Sequence, residues 1–213
     1  MNGKNKVRLS ANTGTNNATF SPNFQYFINT YSSATVAPTY TLNQSKTGAP
    51  IKTIVSNEGV EQKLAKYDVA PKEFFVVTTE KGHQLNAWML KPKNFDATKK
   101  YPTIVYLYNG PHLQLVTDSF PASGNLWYEY MAQNGYIVFT MDGRGSSNRG
   151  MKFEQAVFRN LGETEMKDQL KGVDYLKSLP YVDDEKLGIH GWSFGGFMTT
   201  SFMLKYPEVF KVG

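Results

Sequence analysis

Cysteine is absent from the 213-residue chain, which excludes disulfides, thiol catalysis and cysteine-based zinc sites. There are three histidines, His83, His112 and His190, and their scatter argues against a metal centre. No metal and no cofactor are therefore expected. No apolar run approaches the ~18 residues of a membrane span. The opening Met1-Asn2-Gly3-Lys4-Asn5-Lys6 lacks the apolar stretch of a signal peptide. A concentrated basic patch is also missing: no run of Lys and Arg is longer than Lys99-Lys100, so the net charge of +5 reads as a solvated surface. That argues against a nucleic-acid partner. Asn17-Ala18-Thr19 and Asn43-Gln44-Ser45 match the glycosylation acceptor, a pattern common by chance.

What is present suffices for a core. Hydrophobic residues make up 40% of the chain and aromatic residues 14%, enough for one large domain or two small ones. Residues 1–65 read as short strands separated by turns. Ala18 to Ser21, Phe24 to Tyr31, Pro38 to Leu42 and Ile51 to Val55 follow one another at spacings near ten residues, the signature of antiparallel structure. Asn57 to Asp68 is polar, helical or linking.

Residues 66–213 change pattern. Phe74 to Thr79 and Leu85 to Leu90 predict a hairpin around Lys81-Gly82-His83. Thr103 to Tyr108, Tyr136 to Thr140 and Leu187 to His190 are apolar enough to be buried on both faces. Helices are predicted near Leu126 to Asn134 and Glu163 to Ser178. In the second, Met166, Leu170, Val173, Leu176 and Leu179 form one apolar stripe. Alternating strands and helices imply an α/β fold with a mostly parallel sheet flanked by helices.

Chemistry concentrates at Gly191-Trp192-Ser193-Phe194-Gly195. G-x-S-x-G alone is a weak signal. Here an apolar strand enters it and a helix-compatible segment leaves it, the context of a nucleophile elbow. A serine at that tip becomes a nucleophile only with a general base, and its intermediate needs two donors for the oxyanion. The Phe194 backbone N–H supplies one. The loop after the preceding parallel strand, Tyr108-Asn109-Gly110-Pro111-His112, carries no glycine run, and its proline cannot donate. The Tyr108 hydroxyl is therefore the candidate second donor. Trp192 and Phe194 are candidate substrate contacts, with Trp192 readable equally as buried core.

The stretch 194–213 after Ser193 holds no Asp or His, and its lone carboxylate, Glu208, follows Lys205-Tyr206-Pro207, where the helix should end. The expected order Ser, acid, His thus runs past Gly213. The chain is read as a stretch of a larger enzyme, cut at both ends and inactive by itself. His112 is expected to pack in its loop, His190 to pack in the sheet and His83 to sit at a hairpin tip. Asp142 is expected to serve structural hydrogen bonds, and Arg144 to tie its loop to Glu154 or Asp168.

Tyr108-Asn109-Gly110-Pro111, Asp142-Gly143-Arg144-Gly145-Ser146, Leu161-Gly162 with Asp168-Gln169, and Gly191-Trp192-Ser193-Phe194-Gly195-Gly196 together resemble the prolyl oligopeptidase family of serine peptidases, in its dipeptidyl peptidase IV branch. The resemblance implies an antiparallel last blade of a β-propeller over 1–65 and the first part of an α/β-hydrolase domain over 66–213. It implies Ser193 as nucleophile, Tyr108 and the Phe194 amide as the oxyanion hole, and short peptides cleaved after proline as substrates. It places the catalytic Asp and His after Gly213 and a pair of glutamates that grip the substrate N-terminus before Met1. A periplasmic, cell-surface or secreted location and a homodimeric complete protein are further expectations of that branch. Phe194 departs from the branch, where a hydroxylated aromatic is frequent. An esterase on the same fold and a non-catalytic binding module are the alternatives.

Overall fold

The computed structural model describes residues 6–67, 69–121 and 126–213; the Asp68 end of the linking stretch lies outside them. The chain divides into two compact units, residues 1–68 with 117–125, and residues 69–116 with 126–213.

The first unit is a four-stranded antiparallel sheet of β1 (Thr15–Phe20), β2 (Tyr26–Ser32), β3 (Thr39–Gln44) and β4 (Pro50–Val55), in that order. Sequential antiparallel pairing is what short strands joined by tight turns allow. Between β1 and β2, Ser21 accepts the Phe24 amide at 2.9 Å while its hydroxyl bonds Asn23 and the Tyr26 carbonyl. Phe27 is buried, and its ring meets that of Phe20 at 5.3 Å with the planes tilted by 38°. Register shifts interrupt the β3–β4 pairing on either side of Thr41 and Leu42. Asp118 belongs to this unit: its carbonyl accepts Thr15 Oγ1 and its carboxylate accepts the Ala34 amide, each at 2.8 Å. The helix α1 (Glu58–Leu64) follows β4 and carries no buried residue.

The second unit holds β5 (Glu73–Thr78), β6 (Gln84–Leu90), β7 (Tyr101–Tyr106), β8 (Ile137–Met141) and β9 (Val182–His190). Their spatial order is β5-β6-β8-β7-β9, with β7, β8 and β9 parallel, β6 antiparallel to β8, and β5 antiparallel to β6. Helices α2 (Trp127–Gln133), α3 (Met151–Glu154), α4 (Thr164–Ser178) and α5 (Phe194–Lys205) complete the unit. The short turn of α3, continued as a 3₁₀ turn over Gln155–Val157, has no counterpart in the sequence reading.

Strand β8 shows why this sheet is a middle layer. All five of its residues are buried, because alternate side chains serve opposite faces. Ile137, Phe139 and Met141 join the core formed with Met166, Val173 and Leu176 of α4, whereas Val138 packs with Trp88 and Ala132 of α2. Each such side chain contributes roughly 1.5–3 kcal/mol by leaving water. The one hydroxyl in the strand, Thr140, donates to the Tyr106 carbonyl at 2.6 Å. Gly172 lets α4 approach closely: a Cβ there would stand 3.0 Å from Met141 and 3.2 Å from the Phe139 ring. On the outer side of β9, Val212 forms a parallel bridge with Gly188.

Candidate active site

β9 delivers the chain to a sharp bend and α5 takes it away. Ser193 stands between them at φ 56° and ψ −117°, a backbone conformation that costs a non-glycine residue of order 1–3 kcal/mol. The surrounding glycines permit it. A Cβ on Gly191 would collide with the Gly195 carbonyl, and a Cβ on Gly195 with the Leu107 carbonyl. The bend is closed by Gly195 N–H donating to Trp192 O at 2.8 Å and Phe197 N–H to Ser193 O at 3.0 Å. Ser193 is exposed. Phe194 opens α5, so its N–H lies among the first amides of a helix, which have no intrahelical acceptor.

The second wall comes from the end of β7. Leu107 N–H bonds His190 O at 3.0 Å, keeping the two parallel strands paired up to the loop. Asn109 then takes φ 56°, and the chain folds back so that the Tyr108 ring lies over Gly110. A Cβ on Gly110 would run into that ring and come within 3.1 Å of the Phe194 ring. Tyr108 and Phe194 face each other with ring centroids 6.1 Å apart, and Phe197 adds a T-shaped contact to Phe194 at 5.1 Å. The structure thus brings together Ser193, Phe194 and Tyr108, the three residues singled out for acyl-transfer chemistry. Trp192 stands beside them 82% exposed, so the core reading of it is corrected: at the tip of the bend its indole points away from the packed sheet.

The loops around this wall are held from below. Asp142, at the end of β8, accepts the amides of Leu115 and Val116 at 3.0 and 2.8 Å; burial pushes its carboxyl above the ordinary value against the pull of those two bonds. Arg144 pairs with buried Asp168 of α4, through Nη2 at 2.7 Å and Nε at 3.0 Å, and its own amide adds a bond of 2.8 Å. The adjacent Gln169 donates to Asn109 Oδ1 and to the Met141 carbonyl. Neither Asn109 nor Gln169 had been given a role from sequence. An Asn between a strand-end tyrosine and a glycine was the available signal, since Asn tolerates left-handed backbone better than most residues.

The histidines stand apart from this arrangement. His83 lies in the β5–β6 turn, where its amide bonds the Thr79 hydroxyl at 3.1 Å. His112 is exposed and contacts Glu154, so it does not pack in its loop as expected; its positive φ turns it outward after Pro111. His190, at the end of β9, packs over the sheet as expected although the residue stays partly open to solvent: its ring lies against Tyr106 of the paired strand and against Trp127, and burial pushes its pKa below the ordinary value. Among the described residues no hydrogen bond joins Ser193 to a histidine, and no three metal-ligating side chains cluster. Among those residues, too, no helix is long and apolar enough to cross a membrane.

An exposed serine on a strand-to-helix bend, in a sheet ordered β5-β6-β8-β7-β9, gives the second unit the arrangement of an α/β-hydrolase; the first unit is a four-stranded antiparallel sheet of the kind that forms a propeller blade. The Peptidase S9 profile, the prolyl oligopeptidase family, matches residues 124–213. The chain is 38% identical to dipeptidyl peptidase 4 of Porphyromonas gingivalis, whose crystal structure superposes with a TM-score of 0.91 over 96% of this chain and 29% of that one. It is 32% identical to dipeptidyl peptidase 4 of Trichophyton equinum over 92% of this chain and 25% of the relative. To human dipeptidyl peptidase 8 it is 36% identical over 68% of this chain and 16% of the relative. The chain belongs to the prolyl oligopeptidase family and is similar to its dipeptidyl peptidases, spanning from 16% to 29% of the length of these relatives.

Proposed function

We propose that the full-length protein containing this chain is a serine peptidase that releases dipeptides from short peptides carrying proline at the second position. The observation that carries the reading is Ser193 exposed at its strained bend, with the Tyr108 ring against the ring of Phe194, the residue that follows the serine. In this reading Ser193 Oγ attacks the scissile carbonyl. The Phe194 N–H and the Tyr108 hydroxyl stabilise the oxyanion, and an acyl-enzyme forms as the amine leaves. Water then attacks the ester and returns the free serine. Trp192 and the Phe194 ring are the surfaces against which the substrate lies. The base and its orienting acid come from the part of the protein that the relatives possess in addition to this stretch.

An esterase reading is opposed by the Tyr108 loop, where Pro111 stands in place of a glycine-run donor. The test is an assay of the full-length protein with Gly-Pro p-nitroanilide and with p-nitrophenyl butyrate. Anilide hydrolysis that disappears in Ser193→Ala supports the peptidase. Ester hydrolysis alone overturns it, and activity with neither substrate favours a binding module.

A further inference from the structure

The Tyr108 loop is held by a side-chain amide pair that the proposed chemistry does not itself use. Asn109 is only 5% exposed and sits at φ 56°, immediately after the candidate oxyanion tyrosine. Its Oδ1 accepts Gln169 Nε2 at 3.0 Å, and the same Nε2 donates to Met141 O at 2.7 Å. One nitrogen of α4 therefore ties the loop after β7 to the last residue of β8. Asn109 Nδ2 has no hydrogen-bond partner, so the bond from Gln169 is the one that fixes the amide's orientation. Gly143 leaves room for it: a Cβ there would come within 2.9 Å of Asn109 Nδ2.

The neighbouring residue of the same helix holds the other loop, since Asp168 grips both the guanidinium and the amide of Arg144. Asp168 and Gln169 thus place two catalytic-face loops from one rigid element. An isolated left-handed residue in a surface loop would interconvert with other conformers. Here Tyr108 inherits one direction from Asn109, and that direction stacks its ring toward Phe194.

We infer that Asn109 and Gln169 are positioning residues for the Tyr108 hydroxyl, acting on the transition state through Tyr108 without touching substrate. The inference rests on the peptidase reading above. Hydrogen-bond donors to an oxyanion work only when held in place beforehand, and misplacement of about 1 Å can cost about 100-fold. Substitution of the pair should therefore lower kcat and leave KM almost unchanged.

The test is a double-mutant cycle on the full-length protein with Gly-Pro p-nitroanilide. Gln169→Met keeps length and volume but removes the donor; Asn109→Gly keeps the positive φ but removes the acceptor. Each is expected to lower kcat about 10- to 100-fold, with KM within about threefold. In a Tyr108→Phe background the same substitutions should change kcat by less than about twofold, because the hydroxyl they position is gone. Equal losses in both backgrounds, or a loss confined to KM, would overturn the inference. Should Gln169→Met fail to fold, Asn109→Gly alone decides it. Retention of activity in Ser193→Ala would instead defeat the peptidase reading, an outcome separable from the failure of this one.

Discussion

The rings of Tyr108 and Phe194 meet at 6.1 Å with their planes inclined by 42°, one carried by the loop after β7 and the other by the first residue of α5. Two elements far apart in the chain thereby meet beside the bend that carries Ser193.

Removing the phenol's oxygen tests that relationship most directly. Tyr108→Phe preserves the ring contact and deletes only the hydroxyl. The expected outcome is a fall in kcat of about 100- to 1,000-fold for anilide hydrolysis by the full-length protein, the loss typical of one oxyanion donor. KM should change little. Stopped-time assays at saturating substrate check it, and an unchanged kcat would exclude the hydroxyl from the chemistry.

The glycines of the bend should differ sharply among themselves. A Cβ on Gly195 meets the Leu107 backbone carbonyl, which cannot step aside without opening the β7–β9 pairing. Gly195→Ala is expected to cost about 3 kcal/mol or to prevent folding. One residue along, a Cβ on Gly196 finds its nearest neighbour, Gly191 O, at 3.6 Å, an ordinary contact. Gly196→Ala should therefore stabilise α5 by about 0.5–1 kcal/mol, the usual gain of alanine over glycine in a helix. Denaturant midpoints of the two variants, moving in opposite directions, are the measurement.

Much of this was legible in the chain because its determinants are local. An unbroken apolar run marks β8, apolar recurrence at three and four marks α4, and the spacing of Gly191 and Gly195 around Ser193 marks the bend. Those patterns report a strand, a helix and a turn whatever surrounds them. Other features depend on tertiary placement. The Gln169–Asn109 bond joins residues 60 positions apart, and nothing local to either residue names its partner. The exposure of Trp192 and His112 follows from where β9 and the Tyr108 loop end, and an aromatic or histidine in sequence carries no mark of exposure. The same limit explains Asp118, which departs from the hydrolase portion of the chain to bond Thr15 and Ala34.

Of the two carboxylates considered for Arg144, the helix residue Asp168 is its partner, and it is nearly buried. Its hydrogen bond is the main influence holding the guanidinium above its ordinary pKa. Asp168→Ala would leave Arg144 half-buried and unpaired, with the Arg144 amide also without an acceptor. Such a removal costs about 3–5 kcal/mol. The expected result is a lower urea midpoint in the full-length protein, with the effect persisting at high salt because the pair is shielded from solvent. A loss under about 1 kcal/mol would show the pair to be worth no more than a surface ion pair.

Glu129 gives a pH-dependent prediction with a definite sign. It is 4% exposed on α2, its Oε2 has no hydrogen-bond partner, and burial pushes its carboxyl above the ordinary 4.5, opposed more weakly by a hydrogen bond from its own backbone amide and then by Lys72. A folded-state pKa above the unfolded one means the folded protein binds more protons, so stability declines as pH rises from about 4.5 through the raised value. Below that window the carboxyl is protonated in both states and costs nothing by ionisation. Glu129→Gln keeps the shape and cannot ionise. Its stability relative to the parent should therefore be nearly level under acid conditions and climb with pH to a plateau of about 1–2 kcal/mol, the scale of an unsatisfied buried polar group. Urea midpoints of parent and variant, measured at several pH values from 4 to 8, check it. A difference that stays constant across that range, or that shrinks toward neutrality, would mean that Glu129 is ionised in the folded protein with a partner strong enough to offset its burial.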